Sequence, residues 1–179
     1  HRVGHVPLLP GTCYIEMARA AVRVVHGDTG FALEAVAFTT IMFLDDELDG
    51  VPISRVALHR GSGQLLITSR REDSAWDTHG AMDLVVEDEE PEYLDLPAAL
   101  HRCTTHVGHD EFYEACGNDY QGEFKAMQDG WARDGGLILS KVGYEDSEAV
   151  HVHLRSCAWL DVCLHAPYWW ADNRRRPFY

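Results

Sequence analysis

Two groups of residues in this sequence have the types and spacing for acid–base chemistry. Near one end, His1 precedes a stretch containing Gly4, Pro7 and Pro10 that closes on Pro10-Gly11-Thr12, where a helix is predicted to open. Far along the chain, Asp161-Val162-Cys163-Leu164-His165 sets an aspartate and a histidine four residues apart. On a helix that spacing puts both on one face, where the side chains can meet. Histidine accepts a proton near neutral pH, and a desolvated aspartic acid can donate one. Those two transfers together remove water across a carbon–carbon bond: the base takes the proton beside a carbonyl and the acid protonates the departing hydroxyl. The helix after Pro10 adds N–H groups without intrahelical acceptors and the positive end of the macrodipole, suited to polarising a thioester carbonyl.

Other reactive residues read more plainly. His1 and His5 have metal-ligand spacing only on a helix, and Pro7 and Pro10 argue against helix there. His151, His153 and Cys157 could ligate zinc, but with eleven histidines in the chain chance adjacency explains them, and no metal is expected. His79 reads as a strand residue satisfied by hydrogen bonds; His101, His106 and His109 read as solvated linker residues. Cys157 and Cys163 read as small buried hydrophobes. Trp76, Trp131 and Trp169-Trp170 read as core. Arg174-Arg175-Arg176 is a solvated tail or a local patch for an acidic partner.

The elements that must position the two groups follow from patterning. Ile15, Ala18, Val22 and Val25 form one apolar stripe, widened by Ala20, Ala21 and Val24, so a largely buried helix is predicted from a Thr12 cap to Gly27. Strands are predicted over Ala35 to Leu44, Ile53 to His59, Gln64 to Ser69 and Trp76 to Val86. Arg60-Gly61-Ser62-Gly63 makes a hairpin of the middle pair, and Asp45 to Pro52 reads as a turn. One helix followed by four strands suggests a curled antiparallel sheet around it, an α+β fold. The acidic run Glu87 to Pro91 opens a linker, giving a first unit at 1–90, a linker at 91–110 and a second unit at 111–179. In the second unit, Glu111 to Met127 is partly helical, Trp131 to Val142 reads as a strand broken at Gly135-Gly136, and Cys157 to Trp169 reads as a helix. The second unit thus begins like the first and stops just after its helix.

Composition narrows the class. Of the 179 residues, 15 are Lys or Arg and 29 are Asp or Glu, for a net charge of −14, which disfavours duplex DNA or an anionic membrane as partner. The longest apolar stretch, Phe31 to Leu44, is too short for a membrane span and carries Glu34. Five cysteines without a CxxC pair disfavour a disulfide framework and point to a reducing, cytoplasmic setting. A first residue other than Met marks the sequence as a piece of a longer polypeptide.

The wording of several segments resembles the dehydratase domains of modular polyketide synthases and animal-type fatty-acid synthases. That family carries HxxxGxxxxP, here His1 to Pro10, followed by a helix similar to Gly11-Thr12-Cys13-Tyr14-Ile15-Glu16-Met17-Ala18. Its W-x-x-H region resembles Trp76-Asp77-Thr78-His79-Gly80. Its FY…YGPxF region resembles Phe112-Tyr113 and Tyr120-Gln121-Gly122-Glu123-Phe124, and its LDxxxH motif resembles Leu160-Asp161 to His165. The sequence departs from the pattern at His5, where the motif has glycine, at Gly122, where it has proline, and at Ser156-Cys157, where His-Pro is common.

The resemblance implies a double hot-dog fold, an antiparallel sheet wrapped around a central helix in each half, with the second hot-dog truncated. It implies dehydration of a 3-hydroxyacyl thioester on an acyl carrier protein, with His1 as base, Asp161 as acid and His165 orienting Asp161. Tyr120 would line the pocket, unless it serves packing alone. Pro10 and Gly11 would shape the loop and offer a backbone N–H to the thioester carbonyl. No metal or organic cofactor is implied, since phosphopantetheine belongs to the carrier. The implied partners are that carrier and other domains of one megasynthase, with a homodimer suggested by analogy. The alternative is a non-catalytic hot-dog module that binds acyl chains or serves as scaffold.

Overall fold

The computed structural model describes residues 2–3, 6–27, 30–44, 50–72, 74–85, 93–116, 120–133, 137–143 and 157–165. The chain divides into two compact units, His1–Glu90 and Pro91–Tyr179.

In the first unit, strands β1 (Arg2–Val3) and β2 (Val6–Leu9) form a short antiparallel hairpin. Pro10, extended at φ −60° and ψ 147°, caps helix α1 (Gly11–His26). No side chain caps that end: Thr12, expected as the cap, lies one residue inside and is buried, and the Pro10 carbonyl accepts the Cys13 N–H at 2.9 Å. Gly27, at φ 75°, closes the helix as expected, a conformation that only glycine adopts at little cost.

Strand β3 (Ala32–Phe38) leads to β4 (Met42–Phe43), which pairs with β2. Strands β5 (Ile53–Leu58), β6 (Gln64–Arg70) and β7 (Asp77–Val85) complete an antiparallel sheet in the order β3-β7-β6-β5. The hairpin expected at Arg60–Gly63 joins β5 to β6. In β3 the ladder to β7 shifts register between Glu34 and Ala37, and Ala35 sits at φ 48°.

Helix α1 packs Tyr14, Ala18 and Val22 against Leu65, Ile67 and Met82 of the sheet. Beyond its first turn, only that stripe is buried. Val24 and Val25 are exposed (88% and 42%), so the helix is half-covered rather than largely buried as its composition suggests. Trp76, expected in the core, lies half-buried beneath the guanidinium groups of Arg55 and Arg70, 4.2 and 5.0 Å from its ring.

The second unit contains α2 (Leu96–His101), β8 (Thr105–Gly108) and α3 (His109–Cys116). These lie largely within the span expected to be a linker. Asp95 caps α2 through the Ala98 N–H at 3.1 Å, and Pro97 fits its first turn. His106 is exposed as expected but lies on β8 and not in a linker, pairing with Asp129 at 2.9 Å and leaning on Trp131. Strands β9 (Met127–Arg133) and β10 (Leu137–Val142) form an antiparallel pair where one broken strand was expected, giving the order β10-β9-β8. A helix over residues 157–165 (α4) contributes Val162 to a core with Val107, Phe112, Tyr113, Tyr120 and Met127. Cys157 on α4 is buried as expected, whereas Cys163 is exposed, because it lies on the face opposite Val162 and His165.

Candidate functional site

Helix α4 holds the pair predicted from spacing. His165 Nε2–H donates to Asp161 Oδ2 at 2.8 Å, and both residues are buried. One helical turn separates them, which sets the side chains side by side without bending the backbone. The surroundings are aromatic. The Tyr120 ring lies 4.1 Å from the His165 ring between centroids, Phe112 stacks beside it at 6.4 Å, and Tyr113 meets it edge-on at 6.4 Å. Tyr113 is itself fixed, its hydroxyl accepting the Met127 N–H at 3.1 Å.

Tyr120 is buried in the same core, so it packs as well as touching the histidine. The Nε2–H tautomer satisfies Asp161, and the buried Nδ1 of His165 has no hydrogen-bond partner among the described residues. Low dielectric strengthens the Asp161–His165 hydrogen bond and fixes its geometry. The arrangement can hold one carboxyl oxygen still while the other exchanges a proton.

In the first unit, Pro10 is buried at the helix cap, and Gly11 follows it. A Cβ at Gly11 would lie 2.9 Å from the exposed Phe38 ring, which would have to shift to admit it. Tyr14, one turn along α1, accepts the Met42 N–H at 3.1 Å, and burial pushes its phenol pKa up to about 12 against the lowering effect of that N–H. His1 and His5 lie outside the described residues, as do His151, His153, Trp169, Trp170 and Arg174–Arg176.

Sequence reasoning singled out His79 only as a satisfied strand histidine, and the structure gives it more to do. Its Nδ1 lies 3.0 Å from the Thr40 carbonyl and its Nε2 lies 2.7 Å from Ser69 Oγ. A carbonyl only accepts, so Nδ1 carries the hydrogen and the Ser69 hydroxyl donates to Nε2. Ser69 and His79 line a cleft of about 520 Å³ together with Met42 and Arg70. The contact to Thr40 is 39 residues away in sequence, and no local spacing signals it.

A central helix against an antiparallel sheet is the hot-dog class of α+β fold, and the comparisons specify which hot-dog proteins it resembles. The family model for the polyketide synthase dehydratase domain matches residues 1–70. Solved polyketide synthase dehydratase domains match nearly the whole chain in fold. One, a trans-AT polyketide synthase dehydratase domain from Brevibacillus brevis, has a TM-score of 0.81 and 20% identity, over 99% of this chain and 67% of that one. Another, the CurJ dehydratase as an inactive histidine-to-phenylalanine mutant, has a TM-score of 0.72 and 19% identity, over 96% of this chain and 62% of that one. The CurK dehydratase as an inactive aspartate-to-asparagine mutant has a TM-score of 0.73 and 22% identity, over 92% and 62%. The chain therefore spans about three-fifths to two-thirds of the length of these domains. No curated protein matches it. The resemblance read from the sequence motifs is thus present in the family match and in the fold.

Proposed function

We propose that this chain dehydrates a 3-hydroxyacyl group, carried as a thioester on an acyl carrier protein, to the α,β-unsaturated acyl thioester in polyketide or fatty-acid assembly. The buried Asp161–His165 pair at 2.8 Å carries this reading. His1 takes the C2 proton, and the electrons of that C–H bond form the C2=C3 double bond. Asp161 delivers its proton to the C3 hydroxyl, which leaves as water. His165 holds Asp161 Oδ2, so the other carboxyl oxygen carries the transferred proton. Tyr120, against the His165 ring, lines the pocket near the leaving hydroxyl. Pro10 shapes the turn, and the Gly11 N–H polarises the thioester carbonyl. The reaction needs no metal and no organic cofactor, since phosphopantetheine arrives with the carrier.

Two solved relatives in fold support the residue types: CurJ dehydratase is inactive with a histidine changed to phenylalanine, and CurK dehydratase with an aspartate changed to asparagine. The fold is read as a double hot-dog, with one half in His1–Glu90 and the other in Pro91–Tyr179. The chain works in the cytoplasm beside other domains of one megasynthase, as a homodimer by analogy. A charge of −14 weakens free docking of an acidic carrier, and tethering within one polypeptide compensates by raising its effective concentration.

The test is turnover of a 3-hydroxyacyl carrier substrate, read by mass spectrometry as loss of water, for wild type, His1→Ala and Asp161→Asn. Wild-type water loss that each substitution lowers by about 100-fold or more supports the acid–base pair. A folded wild type that loses no water across several chain lengths overturns the reading and leaves a scaffold module.

A further inference from the structure

We infer that His79, held by Ser69, is a positioning residue that sets the strand pair carrying the N-terminal histidine. Residues 39–44 are tied down at several points, among them the Phe43 carbonyl, which accepts from the Arg71 guanidinium at 2.7 Å. The Thr39 N–H donates to the His79 carbonyl at 2.9 Å, and Thr39 Oγ1–H donates to the Thr78 carbonyl at 2.7 Å. His79 Nδ1–H donates to the Thr40 carbonyl at 3.0 Å. The Met42 N–H donates to Tyr14 Oη at 3.1 Å, and the Leu44 N–H donates to the Pro7 carbonyl at 2.8 Å.

Through β4, this segment fixes β2, with Leu8 opposite Phe43 and Leu9 opposite Met42. Strand β2 in turn holds β1, with Arg2 opposite Pro7 and Val3 opposite Val6. His1 is bonded directly to Arg2. The ties at Thr39 use the backbone carbonyls of β7 and hold whatever side chain stands at position 79. The tie at Thr40 depends on an imidazole in one tautomer. The Thr40 carbonyl selects that tautomer because it can only accept, and Ser69 complements it by donating to Nε2. Ser69 and His79 are both buried, so water does not readily replace the bond between them, while the bond to Thr40 is part-buried. The His79 ring also lies against Tyr14, 6.0 Å between centroids, so the side chains that hold residues 40 and 42 support each other.

A catalytic base tolerates little displacement, and an error of about 1 Å costs roughly 100-fold in rate. Ser69 and His79 therefore act on the reaction through Thr40, β4, β2 and β1, without touching substrate. The inference rests on the assignment of His1 as the base.

The test compares His79→Gln, whose amide reaches toward Ser69 but not Thr40, with His79→Asn, whose amide keeps a donor near the Nδ1 position. Two readouts are taken on the purified chain: dehydration kinetics, and hydrogen exchange at the Leu44 amide with the Leu65 and Ile67 amides as reference. His79→Gln is expected to speed Leu44 exchange up to about tenfold, as loss of one hydrogen bond does, with the reference amides unchanged. It is expected to lower kcat about 10- to 100-fold with KM within about twofold, while His79→Asn stays near wild type in both readouts. Unchanged Leu44 exchange in His79→Gln overturns the inference. So does equal loss in both variants with faster exchange at Leu65 and Ile67, which marks general loosening, and so does a change in KM alone. If wild type shows no dehydration, the functional reading fails by itself and the exchange result still decides whether His79 holds β4 against β2.

Discussion

Removing a single oxygen atom, in Tyr14→Phe, probes the clamp on β4 quantitatively. Tyr14 is 2% exposed, and its hydroxyl accepts the Met42 N–H at 3.1 Å. Phenylalanine keeps the ring in place and leaves that buried N–H without its acceptor, a cost of about 1–3 kcal/mol, near 1.5 for a neutral pair. The phenol also links stability to pH. Burial raises its pKa from 10.0 to about 12. A folded-state value above the unfolded one contributes stability that is complete below pH 10 and lost as pH rises toward 12.

At pH 11 the unfolded tyrosine is about nine-tenths ionised and the native one is still protonated, which favours unfolding by about 1.4 kcal/mol. The deficit of Tyr14→Phe is therefore about 1.5 kcal/mol at pH 8 and close to zero at pH 11. Groups common to both proteins cancel in the difference. Urea denaturation of the two proteins at both pH values, followed by far-ultraviolet circular dichroism, measures it. An equal deficit at pH 8 and pH 11 would refute the reasoning, since it would mean that the phenol ionises as readily folded as unfolded.

Gly63 sits at φ 74°, where a Cβ would lie 2.8 Å from the Leu84 carbonyl oxygen. Gly63→Ala should cost at least about 1–2 kcal/mol, seen as a lower melting temperature, and an unchanged melting temperature would place that turn differently. Cys163 is exposed on α4, with partial desolvation raising its thiol pKa, whereas Cys13 and Cys157 are buried. Iodoacetamide should label Cys163 in the native protein, more slowly than a small free thiol at pH 8 and faster as pH rises, while Cys13 and Cys157 react only after unfolding. Peptide mass spectrometry reads the order, and native labelling of Cys157 as fast as Cys163 would contradict the burial of α4.

What local chemistry controls was legible in the sequence. Gly27 ends α1 because a left-handed residue is needed there, and Arg60–Gly63 turns β5 into β6 because glycine permits the turn. Asp161 and His165 meet because four residues on a helix make one turn. What distant packing controls was not legible. Val24 continues an apolar stripe yet stays exposed, since helix α1 is covered by one sheet on one side. Residues 96–108 looked like linker because the acidic, proline-ended run Glu87–Pro91 precedes them, but Val107 reaches a core shared with Val162 and β8 pairs with β9. Trp76 looked like core and is instead covered by two arginines from neighbouring strands. The contact of Tyr120 with His165 joins residues 45 positions apart, and the reach of His79 to Thr40 spans 39. No periodicity encodes either.

The bulge in β3 bears on a different matter, the company a sheet edge keeps. Among the described strands, β3 ends one side of the four-stranded sheet. An edge strand that runs straight recruits any extended chain that drifts by, because its outer N–H and C=O groups form a ready template. Here the ladder slips between Glu34 and Ala37, and Ala35 turns into a conformation that L-residues resist. A visiting strand finds Ala32–Glu34 in one register and Ala37–Phe38 in another, each too short to hold it. The strain stored at one alanine thus acts as a guard against unwanted accretion.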